Sequence, residues 1–177
     1  MDEQCQILRY SVSMKADPRV QFERDYEEYS DAIFRFLYYK LQNRERALEL
    51  AHDVFLRFFE YLSAGKEIEH TKTFLYRSAM NAFINEIRTK KGLTSLEEIS
   101  EAGHEFVDDG DNAEELAAQR EAVERARSLE DPYRSALLLR YVDDMAVREI
   151  AEIMETRENT VSVWLKRGVE QIRKKYG

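Results

Sequence analysis

The chain has 177 residues, enough for one domain of typical size or two small ones. Six glycines and two prolines are few for an all-β protein built on tight turns, so an all-α fold is expected. One cysteine, Cys5, excludes an internal disulfide and fits a reducing compartment. The acidic start lacks a secretory pattern and no apolar run approaches a membrane span, so a soluble, cytoplasmic protein without membrane insertion is expected.

The net charge of -8 is concentrated in one segment. Residues 1–91 carry 15 basic and 15 acidic side chains, and residues 120–177 carry 12 basic and 11 acidic ones. Residues 92–119 carry nine acids and no Lys or Arg. Low hydrophobicity and like charge favour an extended acidic linker there, although a solvated loop within one domain is the alternative. The predicted division is 1–19 N-terminal extension, 20–91 first domain, 92–119 linker and 120–177 second domain.

Three helices are predicted before the linker from apolar residues at three- and four-residue spacing. The first contains Phe22, Ile33 and Leu41, and the second covers about residues 45–62, with Leu48 assigned to its buried side. Residues 63–66, Ser-Ala-Gly-Lys, break the pattern, and the third helix covers about residues 72–90. Phe74 and its aromatic neighbours on these helices are expected to be mostly core.

Four helices are predicted from residue 114 onward, the first of them beginning within the last residues of the linker segment. The first covers residues 114–128, and the next begins with Asp131 as N-cap and Pro132 at the first helical position. Arg140 is expected to face outward. Two more, at residues 147–154 and 158–175, have the pattern of a helix-turn-helix, and residues 157–175 carry a local charge of +4. A helical hairpin with a basic, solvated face fits this pattern about equally well.

Both halves resemble the extracytoplasmic-function sigma factors of the sigma-70 family. Residues 47–59, ALELAHDVFLRFF, match the core-binding helix of region 2, and residues 74–88, FLYRSAMNAFINEIR, match its DNA-melting helix. Residues 133–141, YRSALLLRY, with EIAEI at 149–153, NTV at 159–161 and LKRG at 165–168, match region 4. The linker takes the place of the variable connection, with no region 1.1 or region 3.

The resemblance implies three binding surfaces and two partners, core RNA polymerase and promoter DNA. Polymerase would contact Glu49, His52, Asp53, Leu56 and Arg57. The separated minus-ten strand would contact Lys66, Lys72, Phe74, Tyr76, Arg77, Asn81, Asn85, Arg88, Lys90 and Lys91. The minus-thirty-five element would contact Arg157, Asn159, Thr160, Ser162, Val163, Trp164, Lys166 and Arg167. An anti-sigma protein that clamps the two domains is usual for the family.

Several residues depart from the family pattern. Asn85 stands where Asp is common, and Glu155 stands at the turn where glycine usually supplies a positive φ. Arg157 replaces the usual Ser N-cap, which makes Thr156 the alternative cap. Trp164 replaces a basic residue, and its ring would stack, contact thymine methyls or bind a protein instead. An unusual or weak minus-thirty-five contact is therefore expected.

Other classes of function explain less of the chain. A stand-alone helix-turn-helix regulator leaves the first domain without a role, and a sigma-like binding module that has lost promoter activity is motivated by Glu155 and Trp164. Three Glu-x-x-His pairs, ending at His52, His70 and His104, are the kind that bind di-iron in helix bundles, but two of them fall in predicted loops. We therefore expect a sigma factor that is not an enzyme and has no catalytic residues, metal or cofactor. The free protein is expected to be partly closed, with the acidic linker lying against the basic DNA-facing surfaces.

Overall fold

A computed structural model describes residues 17–93, 121 and 123–177, and the regular secondary structure within these residues is entirely helical. This agrees with the expected all-α class. The helices are α1 (Pro18–Leu41), α2 (Arg44–Ser63), α3 (Thr71–Leu93), α4 (Tyr133–Tyr141), α5 (Val147–Ile153) and α6 (Glu158–Tyr176). Cys5, His104 and residues 94–119 of the predicted linker lie outside the described residues. The predicted helix at 114–128 is described, as helix, only at residues 121 and 123–127.

Local capping explains where the first helices begin and end. Asp17 caps α1 by accepting from the Arg19 amide at 2.9 Å, with Pro18 as the first helical residue. Gln42 ends α1 in the left-handed conformation with φ of 55°. Asn43 then caps α2 by accepting from the Arg46 amide at 2.9 Å. The predicted break after α2 is present, since Gly65 has φ of 71°.

Helices α1 to α3 pack together around an aromatic and aliphatic core. Phe36, Phe58 and Leu75 are almost completely buried at its centre. Leu48, which the sequence pattern assigned to the buried side of α2, is instead 47% exposed. The buried stripe of α2 runs through Ala47, Leu50, Ala51, Val54, Phe55, Phe58 and Leu62. Leu48 lies at the edge of that stripe, just outside Phe55, because the two residues are separated by almost two full turns and Phe55 is already at its border.

Helices α4 to α6 form the predicted helix-turn-helix and its supporting helix. Gly168 on α6 allows a close approach to α4, because a Cβ there would lie 2.9 Å from Leu137 Cδ1. The predicted start of α4 is wrong by one residue: Pro132 occupies the N-cap position, and the helix begins at Tyr133. The Asp131 carboxylate instead accepts from Lys40 Nζ and from the Ser135 hydroxyl and amide. The Asp131 carboxylate therefore forms an ion pair with Lys40 of α1.

Two further expectations at helix ends need correction. Thr156 does not cap α6; Arg157 occupies the N-cap position, and within the described residues its side chain makes no capping hydrogen bond. Arg140 does not face fully outward, because its Nη1 donates to the Met145 carbonyl at 2.7 Å and the residue is half-buried. The predicted positive φ in the turn is present, at Glu155, with φ of 50°.

The two helical units are packed against each other. Leu139, Met145, Ile150, Ala151, Ile153 and Val161 from the second unit belong to the same buried cluster as the core of α1 to α3. Helix α3 is the element of the first unit that packs against α5. Within the described residues, the two units therefore form a closed arrangement through direct contacts. The predicted contact of the acidic linker with the DNA-facing surfaces lies outside the described residues.

Candidate nucleic-acid and protein interfaces

The outer face of α2 carries all five residues predicted to bind polymerase. Glu49, His52, Asp53, Leu56 and Arg57 are all exposed and follow one another at helical spacing. Leu56 is 57% exposed, and the misassigned Leu48 lies one turn before His52 on the same face. Exposed leucines among charged side chains are typical of a helix that binds another helix. Leu48 was missed because its spacing also fits the buried stripe.

One polar network links this face to α3. The Arg46 guanidinium donates to Glu49 at 2.5 Å and to both oxygens of Glu86 at 3.0 and 2.7 Å. Its hydrogen bonds hold the pKa of the buried Glu86 carboxyl below the ordinary value, against the opposite effect of burial. Lys90 Nζ lies 3.4 Å from Glu86. The network therefore includes Glu49 of the predicted polymerase surface and Lys90 of the predicted minus-ten surface.

Helix α3 presents a polar stripe to solvent. Arg77, Asn81, Asn85 and Arg88 are exposed and recur every three or four residues along it, so they share one face. Lys90 is exposed at the end of the helix. Lys91 also lies in α3, although its side chain is outside the described part of the structure. Cations and amides in this arrangement suit a nucleic-acid strand, since cations contact phosphates and amides hydrogen-bond to base edges.

The aromatic residues at the start of α3 are partly or wholly enclosed. Phe74 is half-buried, with ring centroids 5.1 Å from Tyr61 and 6.0 Å from Phe58. Lys66, in the loop before α3, lies over the Tyr61 ring at 4.7 Å. Tyr76 is 1% exposed, and its ring meets that of Phe36 edge-on at 5.4 Å. In this closed arrangement Tyr76 does not offer a face for stacking, and its contact with DNA stays a prediction.

Three of the predicted minus-ten residues bind acidic or carbonyl groups of the second unit. Lys72 Nζ donates to the Asp143 carbonyl at 3.0 Å, and the Tyr76 hydroxyl donates to Asp143 Oδ1 at 2.8 Å. Arg77 donates to Glu155 Oε1 from Nε and Nη2, at 3.1 and 2.7 Å. Burial raises the pKa of the Asp143 carboxyl to about 6 and raises that of the Tyr76 hydroxyl well above its ordinary value.

The Arg77–Glu155 ion pair lies at a cleft between α3 and the helix-turn-helix. The cleft has a volume of about 580 Å³, and its walls include His70, Phe74 and Arg77 on one side and Glu152 and Glu155 on the other. Both sides thus contribute charged or polar groups to a space that the sequence alone did not indicate. Arg77 and Glu155 are 78 residues apart in the sequence, so no local spacing rule predicts their contact.

Helix α6 exposes most of the residues predicted to read the minus-thirty-five element. Arg157, Asn159, Ser162, Val163, Lys166 and Arg167 are exposed, whereas Thr160 and Trp164 are half-buried. Trp164 packs against the buried cluster, so part of its ring is unavailable to a ligand. The Ser162 hydroxyl donates to the Glu158 carbonyl at 3.0 Å. The face available for a DNA groove is therefore mainly that of Asn159, Val163, Lys166 and Arg167.

The described residues contain neither a metal-binding cluster nor a membrane-spanning helix. Among the residues described, no group of three or more His, Cys, Asp or Glu side chains is arranged to hold a metal ion. His104, from one of the Glu-x-x-His pairs, falls outside them. Within the same parts of the chain, none of the helices has the length and apolar character needed to cross a membrane.

Within the described residues, a three-helix unit with a polar α3 stripe precedes a helix-turn-helix, a motif typical of proteins that bind DNA. Residues 25–92 match the family model of Sigma-70 region 2, and residues 119–172 match that of Sigma-70 region 4. The chain is 30% identical over 159 residues to the ECF RNA polymerase sigma factor SigW of Bacillus subtilis (strain 168), covering 82% of this chain and 83% of that protein. It is 27% identical over 160 residues to the RNA polymerase sigma factor YlaC of the same organism, covering 88% and 92%.

A solved structure, the 1.8 Å RsbN–BldN complex, aligns with 86% of this chain and 89% of the matched chain, at 19% identity and a TM-score of 0.34. The two regions, in this order, and the curated relatives agree with the resemblance found in the sequence. The chain belongs to the extracytoplasmic-function sigma factors of the sigma-70 family. The predicted domain bounds at residues 19, 91 and 119 stay predictions.

Proposed function

We propose that this sigma factor directs core RNA polymerase to promoters through three separate surfaces. The outer face of α2 binds the polymerase, the α3 stripe with the loop before it holds the opened minus-ten strand, and the exposed face of α6 reads the minus-thirty-five element. The observation that carries the proposal is that one chain combines regions 2 and 4, each with its own exposed polar helix face.

The sigma factor itself carries out no chemical step, since the polymerase supplies catalysis, and it works in the cytoplasm, where polymerase and chromosome meet. Neither a cofactor nor a metal takes part. A stand-alone helix-turn-helix regulator would leave the exposed leucines of α2 without a partner. A protein that clamps the two units, as an anti-sigma factor does, stays a prediction from the family.

Run-off transcription with purified core polymerase and a pooled promoter library tests the whole proposal. The sigma factor is expected to give initiation at a discrete set of promoters that core polymerase alone does not use. If the chain binds the polymerase but selects no promoter, it is a sigma-like binding module. If it does neither, the proposed function is wrong.

Variants separate the polymerase surface from the DNA surface. Leu56→Ala with Arg57→Ala is expected to weaken binding to core polymerase at least tenfold, because interface energy is concentrated in a few central side chains. Arg44→Ala, exposed at the start of α2, is the matched control. Equal losses in the variant and the control would show that this face does not bind the polymerase.

The α6 surface is tested by the salt dependence of promoter binding by the holoenzyme. Lys166→Ala is expected to weaken binding to all promoters and to reduce the slope of log affinity against log salt by about one, as for a single phosphate contact. Lys174→Ala, exposed in the last turn of α6, is the matched control for loss of one positive charge. An unchanged slope for Lys166→Ala would contradict its role at the DNA.

A further inference from the structure

The exposed face of α6 carries an apolar side chain at its second turn. Asn159, Val163 and Lys166 are exposed and follow one another at helical spacing, so they lie along one face. Val163 is 45% exposed, although it lies between two polar residues, whereas Val161 of the same helix is completely buried. A β-branched residue is also unfavourable at an exposed helical position. Neither core packing nor helix stability therefore accounts for Val163.

Val163 lies in the half of α6 that is able to reach base edges. The helix begins at Glu158, and in a helix-turn-helix the first residues of the second helix contact the bases. Val163 is five residues further on, about 7.5 Å along the helix axis. Its side chain is therefore placed to enter the major groove together with those of Asn159 and Ser162.

The neighbouring Ser162 limits what the second turn is able to bind. Its hydroxyl donates to the Glu158 carbonyl at 3.0 Å, so the side chain presents its oxygen to DNA as an acceptor. Val163 beside it has no polar atom in its side chain. An acceptor next to an apolar group suits a base pair that presents an amino group next to a methyl group.

The base pair that fits these two groups is thymine with adenine. The 5-methyl group of thymine is the apolar feature of the major groove, and the adenine amino group is a donor beside it. Cytosine presents an amino group but has no methyl group, and guanine presents only acceptors. A helix that places Val163 at the base edges therefore favours thymine there.

Trp164 is less suited to this contact than Val163. The sequence made its ring a candidate for contact with thymine methyl groups, but the ring is half-buried and packs against the buried cluster. Consecutive residues of a helix lie about 100° apart around its axis. When Val163 points at the bases, Trp164 therefore points to the side of the groove.

We propose that Val163 is a specificity-determining residue that reads the 5-methyl group of one pyrimidine, thymine or 5-methylcytosine, in the minus-thirty-five element. The inference rests on the proposed function, because it assigns a base preference to the α6 surface. Ser162 accepts from the amino group of the same base pair. Removal of the methyl group is expected to weaken binding about fourfold, the effect of losing one buried methyl group.

Selection of promoter duplexes by the holoenzyme tests the base preference. Two libraries carry a randomised minus-thirty-five window, one with thymidine and one with deoxyuridine, which lacks the methyl group, upstream of a minus-ten region taken from run-off transcription. The unaltered holoenzyme is expected to enrich thymine at one position of the first library and to lose that enrichment in the second. Val163→Ala is expected to lose it in both. Val20→Ala, at an exposed valine of α1, is the matched control and should select as the unaltered protein does.

Probes that differ only at the selected position measure the size of the effect. Uracil is expected to bind about fourfold more weakly than thymine, and 5-methylcytosine about fourfold more tightly than cytosine. Val163→Ala should bind thymine and uracil equally. Equal binding of thymine and uracil by the unaltered holoenzyme at every position of the window overturns the proposal. Discrimination that persists in Val163→Ala assigns the methyl contact to another residue and overturns it as well.

Misfolding does not imitate the expected result. Val163 is exposed and alanine is the better helix former, so Val163→Ala keeps α6 intact, which far-ultraviolet circular dichroism checks. A discrete sequence selected equally from both libraries overturns the reading by Val163 and leaves the proposed function standing. If run-off transcription yields no promoter and neither library is enriched, the proposed function is wrong and the inference fails with it.

Discussion

Replacement of Lys40 by methionine is expected to stabilise the protein at neutral pH, although it removes an ion pair. The Lys40 side chain is fully enclosed, whereas the Asp131 side chain is 40% exposed. Burial lowers the pKa of the Lys40 ammonium from 10.5 to about 8, despite the opposing attraction of Asp131. The folded protein therefore holds this charge at a cost that an apolar side chain of similar length avoids.

The magnitude follows from the shift in pKa. A difference of about 2.5 units corresponds to about 3 kcal/mol at pH 7, where the lysine is charged in both the folded and the unfolded chain. Methionine loses the hydrogen bonds to Asp131 and Ser135, which offsets about 1–2 kcal/mol of that gain. Because water still reaches the Asp131 carboxylate, a net gain of about 1–2 kcal/mol is expected.

Urea denaturation of the two proteins at pH 7.5 and pH 10 measures this effect. Between pH 8 and 10.5 the unfolded chain binds a proton at Lys40 that the folded chain has released, so the stability of the unaltered protein rises through this window. Lys40→Met lacks that rise, and its advantage should therefore shrink by pH 10. Lys174→Met, at an exposed lysine, is the control and should change stability by less than about 0.5 kcal/mol. A loss of stability in Lys40→Met at pH 7.5 would refute the reasoning.

Three further perturbations follow from single contacts and are checked by urea denaturation. Since the pKa of Asp143 is raised from 3.8 to about 6, its contribution to stability should fall by roughly 3 kcal/mol as the pH rises through this interval, and Asp143→Asn should lack that slope; parallel curves would contradict it. Gly168→Ala places a Cβ 2.9 Å from Leu137 Cδ1, so overpacking should outweigh the gain in helix propensity and cost about 1 kcal/mol; a more stable variant would show that Leu137 simply moves aside. Asn43→Ala removes the cap of α2 and should cost about 1 kcal/mol, whereas Asn159→Ala, exposed and not a cap, should cost less than half of that; equal losses would show that the cap is unimportant.

The helices could be predicted from the sequence because their signals are local. Apolar spacing indicated the three helices of region 2, and Gly65 marked the break between α2 and α3. The misplaced residues lie where two local rules compete. The spacing of Leu48 is compatible with both the buried and the exposed face of α2. Asp131 is a common N-cap residue, but in the structure its carboxylate pairs with Lys40 of α1.

The interface between regions 2 and 4 could not be predicted in the same way, because its partners are distant in the chain. Tyr76 and Asp143 are separated by 67 residues, and neither residue has a spacing that indicates the other. The departure at Glu155 was visible in the sequence, but its partner Arg77 was not. Three predicted DNA-contact residues on α3, namely Lys72, Tyr76 and Arg77, therefore bind groups of region 4 in the structure.

In the closed arrangement, the two proposed binding surfaces of region 2 differ in their exposure. On α2 the proposed polymerase surface is open, with Leu56 57% exposed, while on α3 Tyr76 is 1% exposed and Arg77 is paired with Glu155. In this arrangement the proposed polymerase surface is accessible, whereas the proposed minus-ten surface is partly covered. The interface also encloses two ionised groups, Lys40 and Asp143, whose burial opposes closure at neutral pH. Closure is therefore favoured by apolar burial and opposed by the burial of these two charges.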